Sequence, residues 1–330
     1  MPDAAPPQRV LLLGATGTIG RATAAALLAR GHQVVCLLRP DPADPRRGLP
    51  DGVTLRFGEA TDPASLLRDG FGEGPFDALV SCLASRSGTP RDAWAVDHDA
   101  HLQVLRLAQA QGVRQMVLLS AICVQRPRLA FQHAKLAFEA QLAASGLDYS
   151  IVRPTAYFKS LSGQVERLRQ GKPFLLFGDG RLTACKPISD GDLAAFLADC
   201  LTDPTRRNRI LPIGGPGPAI TPRQQGEELF RLLGQPPRFR SLPLGVMDAI
   251  IATLSALGRV SPALRDKAEL ARIGRYYASE SMLVLNPDTG RYDAEATPST
   301  GQDTLFDFYA RLVRQEARVD LGAHAVFSTT

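Results

Sequence analysis

Gly14-Ala15-Thr16-Gly17-Thr18-Ile19-Gly20 follows the apolar run Val10–Leu13 and opens an Ala/Leu-rich segment, Thr18–Arg30, that closes on Gly31. This spacing suits a phosphate cradle. Gly14 allows a tight turn, Gly17 lets the backbone approach a pyrophosphate, and Gly20 lets the helix pack close to the strand. The helix N-terminus adds free N–H groups and the positive end of a dipole. Between a strand and a helix, the pattern reads as a dinucleotide fingerprint rather than a structural turn. Thr16, Thr18, Ile19 and Arg21 lie in or beside the loop and join the candidate cofactor residues. An NAD enzyme usually places an acid about 20 residues on, to hold the ribose 2′-hydroxyl. That position reads Leu37-Leu38-Arg39-Pro40, without an acid. Arg39, with Arg21 as a second clamp, can hold a 2′-phosphate, so NADPH is the expected cofactor.

A second chemical feature is Phe131-Gln132-His133-Ala134-Lys135. A lysine four residues after a tyrosine can poise the phenol to protonate an alkoxide developing on a carbonyl. Here the ring has no hydroxyl. Either the chain binds its nucleotide without catalysis, or hydride goes to something other than a carbonyl. Asp97-His98-Asp99 and His101 could suggest a metal. No further ligand group is apparent, so the segment reads as a solvated helix start and no metal site is expected.

The elements that must position these residues alternate. Strands are expected at Val10–Leu13, Gln33–Leu38, Val53–Phe57, Asp77–Cys82, Gln115–Leu119 and Tyr149–Val152. Helices are expected at Thr18–Arg30, near Pro63–Arg68, at Asp92–Gln111 and at Phe131–Ala144. Continuous apolar strands between helices imply an α/β fold: a doubly wound parallel sheet (Rossmann) covered on both faces. Residues 1–153 would form the nucleotide-binding domain. Residues 154–330 would form a smaller, irregular C-terminal substrate-binding lobe, with segments around 185–215 returning to the sheet. Ile210–Ile213 reads as a late strand, Thr221-Pro222 opens a capped helix, Ser279–Thr304 is polar and turn-rich, and Leu305–Val313 is a final helix before a frayed last dozen residues. Leu244–Leu257, with only Asp248 charged, reads as a core helix, a wall of a pocket for a flat ligand, or a shallow membrane-surface contact.

The chain has 330 residues, 45% hydrophobic and 22% charged, which allows a substantial core. The net charge of +5 is scattered, and Arg206, Arg207 and Arg209 read as a solvated loop, so no nucleic-acid partner is expected. Five cysteines without C-x-x-C spacing point to a reducing, cytoplasmic setting. The first residues lack a secretory pattern, and no apolar run reaches a membrane span of roughly 18–20 residues.

Together these stretches resemble the atypical and extended short-chain dehydrogenase/reductase superfamily. Within it, the chain is most similar to the NADPH-dependent divinyl chlorophyllide 8-vinyl reductases. The carrying segments are Val10 to Arg21, Leu119 to Gln125, Phe131 to Glu139, Val152 to Ser160, and Phe177-Gly178-Asp179-Gly180 through Ala184-Cys185-Lys186-Pro187-Ile188-Ser189. The resemblance implies Glu59 and Ala60 near the adenine, Cys82, Leu83 and Ala84 beside the ribose, and Lys135 on the nicotinamide ribose. It also implies Pro154 and Thr155 by the carboxamide. The superfamily's catalytic hydroxyl is displaced: Ser120 falls slightly early, and the usual slot is near Ile122 or Cys123.

The implied activity is reduction of the 8-vinyl group of a divinyl (proto)chlorophyllide, in chlorophyll or bacteriochlorophyll synthesis. Alkene reduction makes the missing phenol at Phe131 intelligible. Hydride on a vinyl terminus leaves negative charge on carbon, and a conjugated macrocycle spreads it. Tyr157, Lys159 and Cys123 are candidate proton donors, while Lys135 orients the cofactor. The partner is then a tetrapyrrole, any magnesium belongs to the pigment, and a location peripheral to a photosynthetic membrane is expected. Two alternatives stay open: another ene or carbonyl reductase acting on a smaller substrate, and a non-catalytic NADPH-binding sensor or assembly factor.

Overall fold

The computed structural model describes residues 6–41, 44, 46–72 and 74–317. The expectations for the first residues and for a frayed last dozen lie outside these. The chain runs β1 (Arg9–Leu13), α1 (Thr18–Ala29), β2 (Gln33–Leu38), β3 (Thr54–Phe57), α2 (Pro63–Ser65), β4 (Ala78–Ser81), α3 (Pro90–Ala93), α4 (His101–Ala110), β5 (Gln115–Leu119), α5 (Ala130–Ala143) and β6 (Asp148–Pro154). It continues through α6 (Phe158–Leu161), α7 (Val165–Arg169), β7 (Phe174–Phe177), α8 (Asp190–Asp199), β8 (Arg209–Ile213), α9 (Pro222–Leu232) and β9 (Phe239–Leu242). Then come α10 (Leu244–Leu257), α11 (Pro262–Tyr277), β10 (Val284–Leu285), β11 (Tyr292–Asp293) and α12 (Leu305–Val313). Wider π-type turns extend α2 over Leu66–Phe71 and join α3 to α4 over Trp94–Ala100.

Seven strands form one parallel sheet in the order β3-β2-β1-β4-β5-β6-β8. Side chains alternate across each strand, so β1 feeds two layers. Val10 and Leu12 pack with Ala24 and Leu27 of α1 and with Leu193 and Leu197 of α8. Leu11 and Leu13 pack on the other face with Leu66, Val104 and Phe138. The order reverses between β1 and β4, and in such sheets the crevice outside the carboxyl ends at the reversal takes the ligand. A third core, built on Phe158, Phe174, Leu229, Phe230 and Tyr309, belongs to the later segments.

The doubly wound expectation agrees with this sheet. The irregular reading beyond Arg153 needs correction in three places. α8 is a regular helix, capped by Ser189 on the Asp192 N–H and packed against α1. α11 is a 16-residue helix unforeseen in the sequence. β7 and β9 pair in parallel as a small separate sheet. α10 occupies its expected bounds, yet none of its residues is buried, so the core reading fails. Val246, Ile250 and Leu257 are about half exposed, and the helix leans mainly on α11.

Candidate active site

Strain and close approach shape the loop after β1. Gly14 has φ +70°, and a methyl there would lie 2.4 Å from the Cys82 carbonyl carbon at the end of β4. A methyl on Gly20 would lie 2.1 Å from the Gly14 carbonyl oxygen. Gly17 meets nothing nearer than 3.5 Å, so its outer side is open. α1 has neither a side-chain cap nor an acid in its first turn, which leaves its N–H groups and dipole facing the crevice. Ile19 is buried under the loop. A cleft of about 380 Å³ opens beside Thr18 and Arg21 and is also lined by Lys159, Asp190 and Arg311. Lys159 Nζ donates to Thr18 Oγ1 at 3.3 Å. Among the described residues, Asp190 leaves a buried Oδ1 without a partner; burial pushes its carboxyl up, against the pull of Lys159 and Arg21. A larger cavity, about 740 Å³, is lined by Leu67, Arg68, Phe71, Pro75 and Gln111 near the amino ends of the strands, and contains none of the candidate residues.

At the end of β2, Arg39 is exposed. The structure adds a residue that spacing did not reveal. Arg47, at φ +49°, donates from Nη2 to the Arg39 carbonyl at 3.3 Å and pairs with Asp41 at 3.0 Å. Its Nε is buried with no partner among the described residues. Arg21 Nη1 donates to the Thr16 carbonyl at 2.7 Å and the Arg47 carbonyl at 3.4 Å, tying this corner to the loop. An orphaned guanidinium donor beside two other arginines fits a 2′-phosphate, and the glycine cradle fits the pyrophosphate.

The remaining candidates gather along the same edge. Half-buried Glu59 and Ala60 follow β3, and the Glu59 carboxylate accepts from Thr61 Oγ1. Half-buried Cys82 and Leu83 and exposed Ala84 follow β4, and Cys82 Sγ lies 3.7 Å from Thr23 Oγ1. Pro154 is buried at the end of β6, and Thr155 Oγ1 donates to the Lys186 carbonyl. Ser120 lies just past β5. Its hydroxyl donates to buried Glu139, which also binds Arg153, so this network ties α5 to β5 and β6.

Lys135 Nζ sits 3.0 Å from Asp97 Oδ1, with the two side chains 12% and 0% exposed. Asp97 also accepts from the Ser85 N–H at 3.2 Å and the Ser85 hydroxyl at 2.6 Å. The solvated reading of this segment is therefore wrong for Asp97 and His101. His101 is buried between Ser81 Oγ at 2.8 Å and the Val96 carbonyl at 2.9 Å. Burial first, then the Lys135 charge, pushes it down to about 4, so it is neutral at pH 7. Half-buried Phe131 packs against the third core, as does Ile273. Burial pushes the Tyr157 hydroxyl up, and Cys82, Cys123 and Asp190 act on it in the same direction, which places it among the ends of β4, β5 and β6 and the start of α8.

Comparisons with known proteins agree with this geometry. An NAD(P)H-binding family model matches residues 14–204. The chain is 53% identical over 331 residues to the chloroplastic divinyl chlorophyllide a 8-vinyl-reductase of Oryza sativa subsp. indica, covering 96% of this chain and 82% of that protein. It is 51% identical, with the same coverage, to the corresponding reductase of Zea mays. In fold it is similar to an NADPH-dependent quinone oxidoreductase from Escherichia coli in complex with NADPH. That likeness has a TM-score of 0.67 at 21% identity and covers 92% of this chain and 99% of the other.

Proposed function

The chain belongs to the divinyl chlorophyllide a 8-vinyl-reductase family, and on that premise we propose that it uses NADPH to reduce the 8-vinyl group of divinyl chlorophyllide a, or of its protochlorophyllide counterpart, to ethyl. The observation that carries the reading is an intact dinucleotide cradle with Lys135 retained and Phe131 where a carbonyl reductase needs a phenol. Bound in the crevice between β1 and β4, NADPH supplies a hydride. The loop from Gly14 to Gly20 and the start of α1 receive its pyrophosphate, and Arg39, Arg47 and Arg21 its 2′-phosphate. Glu59, Ala60, Cys82, Leu83 and Ala84 border the adenosine. Pro154 and Thr155 border the carboxamide, and Lys135, aimed by Asp97, holds the nicotinamide ribose.

The chain contributes mainly position and dryness. Phe131 is an apolar wall that keeps water from the reacting carbon. The segment from Pro154 onward houses the pigment, with the exposed apolar side of α10 as one face of the pocket. That same edge also suits a shallow contact with a photosynthetic membrane; no helix among the described residues is long and apolar enough to cross one. Incubation of the protein with NADPH and divinyl chlorophyllide a should blue-shift the Soret band. A pigment spectrum that stays put while both ligands are bound would contradict the reading.

A further inference from the structure

Reduction of a vinyl group needs a proton as well as a hydride, and Phe131 has none to give. We propose that Tyr277, the last residue of α11, supplies that proton, so that a phenol missing from α5 is returned to the site by the C-terminal lobe. The assignment rests on the functional reading above and adds the acid that reading lacks.

Three observations converge on it. The Tyr277 hydroxyl donates to Cys123 Sγ at 3.7 Å, and Cys123 lies on the tight turn Ile122–Gln125 that follows β5. A thiol is a weak acceptor, so this hydroxyl is not locked into place. Its neighbour Tyr276 is: that hydroxyl donates to the Cys123 carbonyl at 2.8 Å and the Arg126 carbonyl at 3.0 Å. Secondly, Tyr277 is 44% exposed although its hydroxyl end reaches a buried thiol. The ring therefore offers an open flank to a flat guest while its oxygen points inward. Thirdly, Ile273, one helical turn earlier on the same face of α11, and Phe131 both border Gly88. A methyl built on Gly88 would meet Ile273 Cδ1 at 3.0 Å and Phe131 Cδ1 at 3.6 Å. The face of α11 bearing Tyr277 thus shares Gly88 and the third core with the ring that lacks the hydroxyl.

The charge of Lys135 also acts on Cys123, which puts the pair within the electrostatic reach of the candidate cofactor lysine. Burial, and then Cys123, hold the Tyr277 hydroxyl well above its ordinary range, so it stays protonated. A weak acid suffices where the developing charge is spread over a macrocycle. In the step, the terminal vinyl carbon gains a hydride and the dinucleotide is oxidised. The O–H bond of Tyr277 breaks, a C–H bond forms at the carbon joined to the ring, and the phenolate regains its proton from water.

The test is Tyr277→Phe, which removes one oxygen and keeps the ring, compared with wild type and Tyr157→Phe on the same divinyl chlorophyllide a. We expect kcat to fall about 100-fold, within the usual range for loss of a general acid. The solvent deuterium isotope effect should change, while the dissociation constants of NADPH and of pigment, measured without turnover by fluorescence quenching, stay within about twofold. A Tyr277→Phe enzyme with wild-type kcat and isotope effect overturns the assignment, and so does a loss confined to Tyr157→Phe. A wild-type enzyme that leaves the pigment unreduced instead sinks the functional reading itself.

Discussion

Replacing Arg39 and Arg47 together with alanine is expected to raise the NADPH dissociation constant by about two to three orders of magnitude and to leave NADH binding within about twofold. Each charge-assisted contact to a phosphate is worth about 1.5–3 kcal/mol, and two contacts on one phosphate combine to that range even if partly redundant. Arg39 is exposed at the end of β2 and ready for a ligand. Arg47 has the stronger claim, because its Nε is buried without a partner among the described residues while Nη2 is already engaged by Asp41 and the Arg39 carbonyl. Isothermal titration with both dinucleotides on the double and single variants reads the effect. Equal losses for NADH and NADPH would show that this corner supports the fold rather than the 2′-phosphate.

Lys135→Met is expected to lower kcat/KM for NADPH about 100-fold and also to destabilise the protein. Two effects are mixed in that variant, because Asp97 is fully buried and loses its cation, while Ser85 still donates to it. Stranding a buried charge costs about 3–5 kcal/mol. The double variant Lys135→Met/Asp97→Asn removes the charge pair as a unit, so it should recover most of the lost stability in urea unfolding. It should not recover turnover if the lysine acts on the cofactor. Recovery of both would reduce Lys135 to a structural partner of Asp97.

The parts of the site written in contiguous residues were legible in the sequence. The stretch from Gly14 to Gly20 sits in one loop, and its steric demands are local: the methyl clashes at Gly14 and Gly20 arise within the loop and at the strand beside it. The change at Phe131 is visible because its spacing to Lys135 is a property of one helix. Asp97 reads as solvated from sequence because three charge-bearing residues in a row look alike, although successive helical residues point about 100° apart. The usable signal was the spacing of Ala93, Asp97, Ala100, His101 and Val104, which lie on one buried face. Arg47 was hidden because a loop with positive φ folds it back onto β2, and no periodicity encodes that approach. Tyr277 was hidden for a similar reason. It lies 154 residues from Cys123, and only tertiary packing brings them together.

The lobe was harder to read than the sheet. α10 is a strongly apolar helix whose composition alone fits a core as well as a surface, and it lies on the surface against α11. Large exposed apolar faces mark binding sites more often than cores. α8 carried a cap signal at Ser189 that its short, Gly-containing start concealed.

The most direct measurement follows two hydrogens. NADPH deuterated at the transferred position is supplied with divinyl chlorophyllide a in ordinary water, and the product is examined by NMR. One deuterium is expected in the methyl of the new ethyl group, with a solvent proton on the carbon attached to the macrocycle. Deuterium at the ring-attached carbon, or an unlabelled ethyl group, would contradict hydride delivery to the vinyl terminus.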